Sequence, residues 1–301
     1  MSALHRFAWP LAVANLVANI GIVVTGGAVR LTGSGLGCPT WPRCTDESYV
    51  AHGELGVHGV IEFGNRMLTW VLVVIAVATF LAVWRSGRDR ATRLAPIVAL
   101  GIPTQGILGG ITVLTDLNPW LVALHLLVSM AIIGVCVMLL DELRGPVRSP
   151  SDRLQALAWP VFGTTWVVLY LGTVVTGSGP HSGDLESRRT GLDPQVMSHV
   201  HAAAVYALVA FTLVLLVVAQ RQRATGVRNA VGVLLALELA QGLLGFVQYF
   251  TDLPEILVGL HMLGAALISA AVTWAVLSTR ARLAQPKSSG SRATATNSSE
   301  R

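Results

Sequence analysis

Charged residues are scarce in this chain. Only 12% of its 301 residues are Asp, Glu, Lys or Arg, whereas 53% are hydrophobic. A soluble domain cannot bury so large an apolar fraction, so the composition excludes a soluble globular protein and indicates a polytopic membrane protein. The formal net charge of +5 comes mainly from arginines in one set of loops. It therefore indicates membrane orientation, and we predict no nucleic-acid partner.

Cysteine is also scarce, since the chain contains only three. Cys38 and Cys44 lie in a short proline-containing loop, and no further thiol or histidine is adjacent, which argues against a thiolate metal site. The pair favours a disulfide on an oxidising face, with a redox-active thiol pair or two free thiols as the alternatives. Cys136 lies within an apolar segment and is predicted to be an inert small hydrophobic residue.

Long apolar runs, in contrast, are abundant. A helix needs roughly 20 apolar residues to cross the hydrocarbon core of a bilayer, and the chain contains eight such segments. The first is too long for the apolar region of a signal peptide and leads into further spans, so it is predicted to be a retained helix. The predicted spans are residues 8–28, 56–84, 94–114, 119–140, 154–176, 195–219, 229–250 and 254–278.

Basic residues predict the orientation of these spans. They concentrate in the loops after the second, fourth and sixth spans and after the eighth, so both termini are predicted to be cytoplasmic. The segment 280–301 is rich in Ser, Thr, Ala and Arg and is predicted to be a disordered cytoplasmic tail. The basic residues on the predicted cytoplasmic side are Arg85, Arg88, Arg90, Arg93, Arg144, Arg148, Arg153, Arg221, Arg223, Arg228, Arg280, Arg282 and Lys287.

The second half of the chain repeats the first at an offset of 136 residues. Residues 105–125 match residues 241–261 at eleven of 21 positions without a gap, and the matches include Gln, Asp and His. Four spans per half give the two halves one orientation, related by an axis along the membrane normal. The sequence therefore predicts an all-α membrane protein of two pseudo-symmetric four-helix bundles, residues 1–145 and 146–279.

Three histidines lie at one depth within these spans. His125 and its repeat partner His261 lie six or seven residues into their spans, and His201 lies seven residues beyond Pro194. At about 1.5 Å of rise per residue, all three are roughly 10 Å below the outer surface. The first-half counterpart of His201 is Asn65. Two imidazoles at equal depth on different helices of one unit can ligate a heme iron from both faces; the alternative is hydrogen bonding between helices.

Glu62 is the most costly residue to place in a membrane, since a carboxylate deep in a helix costs roughly 2.5–3.5 kcal/mol on insertion scales. It lies one turn after His58 and one turn before Asn65 on one helix face. We predict a functional role, with an i,i+4 ion pair to Arg66 as the alternative. Weaker candidates for a direct role are His181, His199 and Glu238.

Several of these motifs together resemble the heme A synthase family, most closely its actinobacterial branch. The resemblance covers about residues 10–278, and its loop motif is specific. The motifs that carry it are residues 26–39 (GGAVRLTGSGLGCP), 62–66 (EFGNR) and 176–181 (TGSGPH), with the contexts of His125, His201 and His261.

The resemblance implies an enzyme that oxidises one methyl group of heme O to the formyl group of heme A by successive hydroxylation, for cytochrome oxidase. The first half would hold the substrate heme with His125 as a ligand, and the second half a cofactor heme b through His201 and His261. Glu62 matches the essential acidic position of the family. Cys38 and Cys44 match a loop pair that is typically a disulfide.

The same resemblance implies a location in the bacterial plasma membrane, in contact with lipid. The partners it implies are the substrate heme O, the heme O synthase that produces it, and a quinone or other electron acceptor.

One position departs from the family pattern, because many members have His where this chain has Asn65. Asparagine is a poor iron ligand, which leaves two alternatives for ligation of the substrate heme. One alternative is ligation by His58, two turns earlier on the same face. The other is a five-coordinate iron bound by His125 with an open face for substrate exchange and the oxidant.

Two other functions compete with the enzyme. A non-catalytic diheme b-type electron carrier predicts four complete axial histidines, which Asn65 contradicts. A transporter that relays protons through intramembrane Glu and His leaves the matched depth of the histidines unexplained.

Overall fold

Eight long helices make up most of the described chain. The computed structural model describes residues 6–84, 89–145, 147–150, 152–184 and 187–282. Each of the eight helices found there is long and apolar enough to span a membrane, which confirms the predicted spans. The helices are α1 (Ala8–Leu31), α2 (Gly56–Trp84), α3 (Asp89–Leu114), α4 (Pro119–Leu143), α5 (Asp152–Ser178), α6 (Pro194–Arg221), α7 (Thr225–Phe250) and α8 (Glu255–Ser278).

A short antiparallel ladder joins the link between the two halves to the residues that follow α8. Its strands are β1 (Val147–Pro150) and β2 (Arg280–Arg282). The three residues of β2 were predicted to belong to the disordered tail, and the structure instead pairs them with β1. The rest of the predicted tail, residues 283–301, lies outside the described residues, as do Arg85, Arg88 and Lys287 of the basic loops.

Within each half, consecutive helices pack side by side and the fourth helix also packs on the first. Thus α2 lies opposite α4 across one four-helix unit, and α6 lies opposite α8 across the other. The units meet where α4 contacts α8, with α1 against α8 and α4 against α5 on either side. A rotation that exchanged the two units would place the α1–α8 contact on the α5–α4 contact. The contacts therefore have the pattern of a two-fold axis between α4 and α8.

The repeated Thr-Asp-Leu motifs form the same turn in both halves. Asp116 and Leu117 between α3 and α4 have φ of 52° and 54°, and Asp252 and Leu253 between α7 and α8 have φ of 55° and 57°. Left-handed backbone is rare for such residues, so its recurrence at matching positions is a structural sign of the repeat. These turns lie at the same end of the bundle as residues 32–55, 179–184 and 187–193, here called the long-loop end.

Apolar packing fills each unit near the opposite end. In the second unit, the buried cluster draws on residues near the link-side ends of all four helices, including Leu154, Leu215, Val231 and Val272. In the first unit, Ala12, Val83 and Leu139 belong to a corresponding cluster. The histidines lie nearer the long-loop end of both units. The apolar core is therefore concentrated near the opposite end, and the polar side chains and glycines of the candidate site lie at the long-loop end.

The two left-handed leucines differ in burial, which gives a test of the repeated turn. Leu117 is 7% exposed and packs against Gly35 and Gly183, whereas Leu253 is only half-buried. Left-handed backbone costs a non-glycine residue roughly 1–2 kcal/mol, and loss of a buried leucine side chain costs about 2–5 kcal/mol. We expect Leu117→Gly to lower the thermal stability in detergent and Leu253→Gly to leave it unchanged or raise it. Equal losses in the two variants would contradict this account.

Candidate heme site at the long-loop end

Capped helix starts set the depth of two histidines. The Asn118 side chain accepts a hydrogen bond at 3.0 Å from the backbone N–H two residues on, and the Asp193 side chain accepts two at 2.8 and 2.9 Å. Each cap precedes a proline in the first turn, a sequence that starts a helix sharply. His125 is therefore the seventh residue of α4 and His201 the eighth of α6.

The second unit brings His201 and His261 together from opposite helices. His201 on α6 interacts electrostatically with His261 on α8 and lies against the backbone of Val168 on α5. A Cβ on Gly172 of α5 would lie 3.3 Å from Cε1 of the His201 ring. The ring therefore rests where α5 has no side chain.

The other two histidines rest on glycines of the repeat. A Cβ on Gly109 of α3 would lie 3.5 Å from Cε1 of His125, and a Cβ on Gly245 of α7 would lie 3.7 Å from Cε1 of His261. Neither glycine stands out as a site residue in the sequence. The repeat contains the clue, since Gly109 and Gly245 are matched positions, as are the two histidines.

All three imidazoles have an orphaned ring nitrogen. Nδ1 of His125, His201 and His261 is buried and has no hydrogen-bond partner within the part of the chain that the structure describes. Buried polar atoms are nearly always paired, so each exception needs an explanation. Among the described residues, no group of three or more His, Cys, Asp or Glu side chains is arranged to hold a bare metal ion. A heme iron needs only one or two protein ligands, so these residues fit a heme.

The first unit has no matching pair, because Asn65 lies where a second histidine would be. Thr25 on α1 donates a hydrogen bond to Oδ1 of Asn65 at 2.8 Å. His58 is exposed, and its Nδ1 lies 2.9 Å from the hydroxyl of Ser34 in the loop after α1. The structure thus gives His58 a loop partner and leaves His125 as the buried imidazole of this unit.

Glu62 binds the loop that contains the disulfide. It is 5% exposed, and its Oε2 accepts the backbone N–H of Cys38 at 2.6 Å. Its Oε1 accepts two hydrogen bonds from Arg66, at 2.5 and 3.2 Å. Arg66 in turn donates to the backbone carbonyls of Cys38, Thr40 and Arg43 at 2.9–3.1 Å. The i,i+4 ion pair considered from the sequence is therefore present, and it holds the loop on α2.

The disulfide between Cys38 and Cys44 is present, and both cysteines are fully buried. The loop it closes places the Trp41 ring directly on Gly110 of α3, where a Cβ would overlap the indole. Gly110 follows the glycine that contacts His125. In the second half the matching residue is Phe246, and that half lacks the longer loop. The loop therefore covers the first unit only.

The remaining polar candidates of the long-loop end have other partners. Nε2 of His181 donates to the carbonyl of Leu253 at 2.9 Å, and Arg30 donates to the carbonyls of His181 and Thr176 at 2.5 and 2.9 Å. Arg30 thereby joins α1 to the long loop of the second half. His199 is exposed, with Nε2 3.5 Å from the hydroxyl of Tyr249.

Comparisons with known proteins identify the family of this chain. A family model described as cytochrome oxidase assembly protein (COX15-CtaA) matches residues 9–180, more than half of the chain. That range contains α1–α5 and the disulfide loop and ends before α6. Assignment to the actinobacterial branch stays a prediction.

Individual relatives are proteins named heme A synthase. One from a Bradyrhizobium species is 30% identical over 206 residues, which cover 56% of this chain and 56% of that protein. One from Bacillus licheniformis is 27% identical over 175 residues, 55% and 57% of the two chains. One from Methylobacterium radiotolerans is 27% identical over 225 residues, 63% and 60%. The chain thus matches a little more than half the length of each relative.

The contacts of Arg66 predict how the loop responds to its loss. Arg66→Leu leaves the Glu62 carboxylate buried without its cation, a change that costs about 3–5 kcal/mol when a buried pair is broken. We expect the disulfide to be reduced at least tenfold faster by a water-soluble phosphine, since about 1.4 kcal/mol of local stability corresponds to tenfold. Timed alkylation and mass spectrometry measure the rate.

Arg43→Leu is the matched control, because the exposed Arg43 side chain lies over Tyr49 and donates to the carbonyl of Asp46 outside the disulfide ring, and only its backbone carbonyl contacts Arg66. We expect wild-type reduction kinetics for this control. Wild-type kinetics in Arg66→Leu would contradict the anchoring role.

Proposed function

This chain belongs to the family of cytochrome oxidase assembly proteins, and on that premise we propose that it is a heme A synthase, an integral membrane oxidoreductase that converts heme O to heme A. The reaction oxidises one methyl group of the substrate porphyrin to a formyl group through successive hydroxylations. The observation that carries the proposal is the pairing of His201 and His261 from opposite helices of the second unit, where the two rings interact electrostatically.

The second half is proposed to hold a cofactor heme b between His201 and His261. The two residues lie on opposite helices of one four-helix unit, the arrangement from which two imidazoles reach one iron. Gly172 and Gly245 support the site because a flat ring can lie against helix backbone where no Cβ intervenes. The heme would supply one-electron chemistry, while the protein supplies ligation, orientation and exclusion of water.

The first half is proposed to bind the substrate heme through His125. Asn65 lies on the opposite helix, and its side-chain oxygen is held by Thr25, which favours a single protein ligand and an open face over ligation from both sides. The contact between His58 and Ser34 disfavours His58 as the second ligand. The same Asn65 disfavours a diheme b-type electron carrier, which needs a fourth axial histidine.

Glu62 is proposed to position a proton or hydroxyl beside the reacting methyl group. Its place on α2, one turn from Asn65, puts it in the substrate half beneath the disulfide loop. Both carboxylate oxygens also hold that loop and Arg66. The proposed role and the anchoring role are therefore linked, and a variant that separates them is needed.

The long-loop end is proposed to face the outside of a bacterial plasma membrane, with both termini in the cytoplasm. The buried disulfide supports this orientation, because disulfides persist in oxidising compartments, and so does the positive-inside pattern. Heme O is the proposed substrate. The heme O synthase that makes it and a quinone or other electron acceptor are the proposed partners.

Histidine variants test the cofactor site. We expect His201→Ala and His261→Ala to lose the heme of the second half, because each removes one axial ligand. The low-spin absorption spectrum expected of a heme with two histidine ligands should be lost with it. His199→Ala is the control, since His199 is exposed on the same helix and two residues away. Heme-to-protein ratios and ferric absorption spectra measure the outcome. Full heme content in His261→Ala, or equal loss in the control, would contradict the assignment.

Product analysis tests the enzyme and the role of Glu62. In a host that makes heme O but no heme A, we expect the wild-type chain to produce heme A. Glu62→Ala should retain heme b but accumulate heme O or an alcohol intermediate. Arg66→Leu frees the loop and keeps the carboxylate, so it should make more heme A than Glu62→Ala does. Full formyl formation by Glu62→Ala would refute the catalytic role, and no heme A from the wild type would refute the proposed function.

A further inference from the structure

A buried carboxylate in the middle of α7 has no part in the function proposed above. Glu238 is 2% exposed, and Thr212 on α6 donates a hydrogen bond to its Oε1 at 2.9 Å. Its Oε2 is buried and has no hydrogen-bond partner within the part of the chain that the structure describes. Leu208, Leu215 and Leu234, each within four residues of this pair along the chain, are also buried. An unpaired charge is costly in such surroundings, whereas a protonated carboxyl is not.

Glu238 lies on the face of α7 that supports the histidines. Glu238, Gln241 and Gly245 are spaced i, i+3 and i+7, so they share one side of the helix. Gly245 contacts the His261 ring, and Gln241 packs on Gly264 of α8. Seven residues of helix separate Glu238 from Gly245, about 10 Å. Glu238 is therefore two turns below the proposed heme ligands, on the same interior face.

Thr212 lies on the same face of α6 as the other proposed ligand, His201. It lies eleven residues after His201 on α6, three helical turns away and on the same face. The Glu238–Thr212 hydrogen bond thus joins the two helices in the interior of the second unit, between the histidines and the opposite end of the bundle.

Among the described residues, no charged side chain of the surrounding helices forms an ion pair with Glu238. Of the ionisable residues on these helices, Tyr170 and Tyr206 are exposed. His201 and His261 are the proposed heme ligands, and the rest lie near helix ends. The ionisable residues of these helices are Asp152, Arg153 and Tyr170 on α5, His199, His201, Tyr206 and Arg221 on α6, Arg228 and Tyr249 on α7, and Glu255 and His261 on α8.

We propose that Glu238 is a redox-linked proton-binding site of the second half. Glu238 takes up one proton when an external one-electron donor reduces the site held by His201 and His261, and it releases that proton on reoxidation. The carboxylate becomes a carboxylic acid as one electron arrives, so the net charge of the interior is unchanged. The helix between Glu238 and the glycine beside His261 rises about 10 Å. Over a separation of that order and at an effective dielectric of about 20, one unit of charge changes a proton-binding constant by roughly tenfold. This inference rests on the proposed heme b site.

The first half provides an internal contrast. The residue that matches Glu238 is Ile102, which is buried in an apolar cluster with Leu72 and Ala76. Nothing in that cluster binds a proton. The first half therefore has no counterpart of Glu238 at this position.

The midpoint potential of the bound heme, measured against pH in the full-length protein, tests the proposal. A tenfold change in the proton-binding constant corresponds to about 59 mV for one electron. We therefore expect the wild-type potential to fall by roughly that amount between about pH 5 and pH 9, where carboxyl groups in apolar sites titrate, with a maximum slope of about half of 59 mV per pH unit. Glu238→Gln keeps the shape of the side chain but removes the titration, so its slope should be flat. Glu255→Gln, a change at an exposed residue of α8, should keep the wild-type slope.

A flat wild-type slope, or an unchanged slope in Glu238→Gln, would overturn the proposal while leaving the heme site intact. Absence of a low-spin heme spectrum in the wild type would instead overturn the proposed function together with this inference.

Thr212→Val gives a second test that does not alter the carboxyl group. It removes the donor that stabilises the carboxylate, so the pH region of the slope should move upward, and Thr212→Ser should restore it. Reduced-minus-oxidised infrared spectra of the wild type should show a carboxylic acid C=O band gained on reduction. An unmoved slope in Thr212→Val or the absence of that band would contradict the assignment to Glu238.

Discussion

The arrangement of the long-loop end depends on imidazole rings that lie against the glycines of a neighbouring helix. Backbone N–H and C=O groups in a membrane interior can form hydrogen bonds only with each other, so each span is a helix. Within the spans, a site is therefore shaped by side chains. Gly172 and Gly245 let the rings of His201 and His261 lie close to backbone in the second unit. Because apolar packing fills the opposite end of each unit, the depth of the histidines sets where a heme fits.

The two halves differ in their candidate ligands and in the loop that covers them. In the second unit, His201 and His261 lie on opposite helices and interact electrostatically, which suits the proposed cofactor with two axial ligands. In the first, Asn65 is held by Thr25, and the disulfide loop is fastened over the unit through Glu62 and Arg66. A site with one ligand and a cover of its own suits a heme that must enter, react and leave. The shared scaffold and these few differences support the proposal that the first half binds a substrate and the second half a cofactor.

Much of this arrangement could be predicted from the sequence, because membrane spans and repeats are written in side-chain type. The eight spans and the disulfide followed from apolar length and from the resemblance of the Cys38–Cys44 loop. The anchoring of that loop could not be predicted, since Arg66 binds backbone carbonyls, which every residue has. The contact of His58 with Ser34 was equally hidden, because it depends on how the chain turns after α1.

The most direct test of the central claim is extraction and chromatography of the hemes from protein purified from cells that also make heme O. The account predicts heme b together with heme O, its hydroxylated form or heme A, because the two halves hold different hemes. Heme b alone would contradict the assignment of the first half to a substrate. A protein without heme would contradict the roles of His125, His201 and His261 altogether.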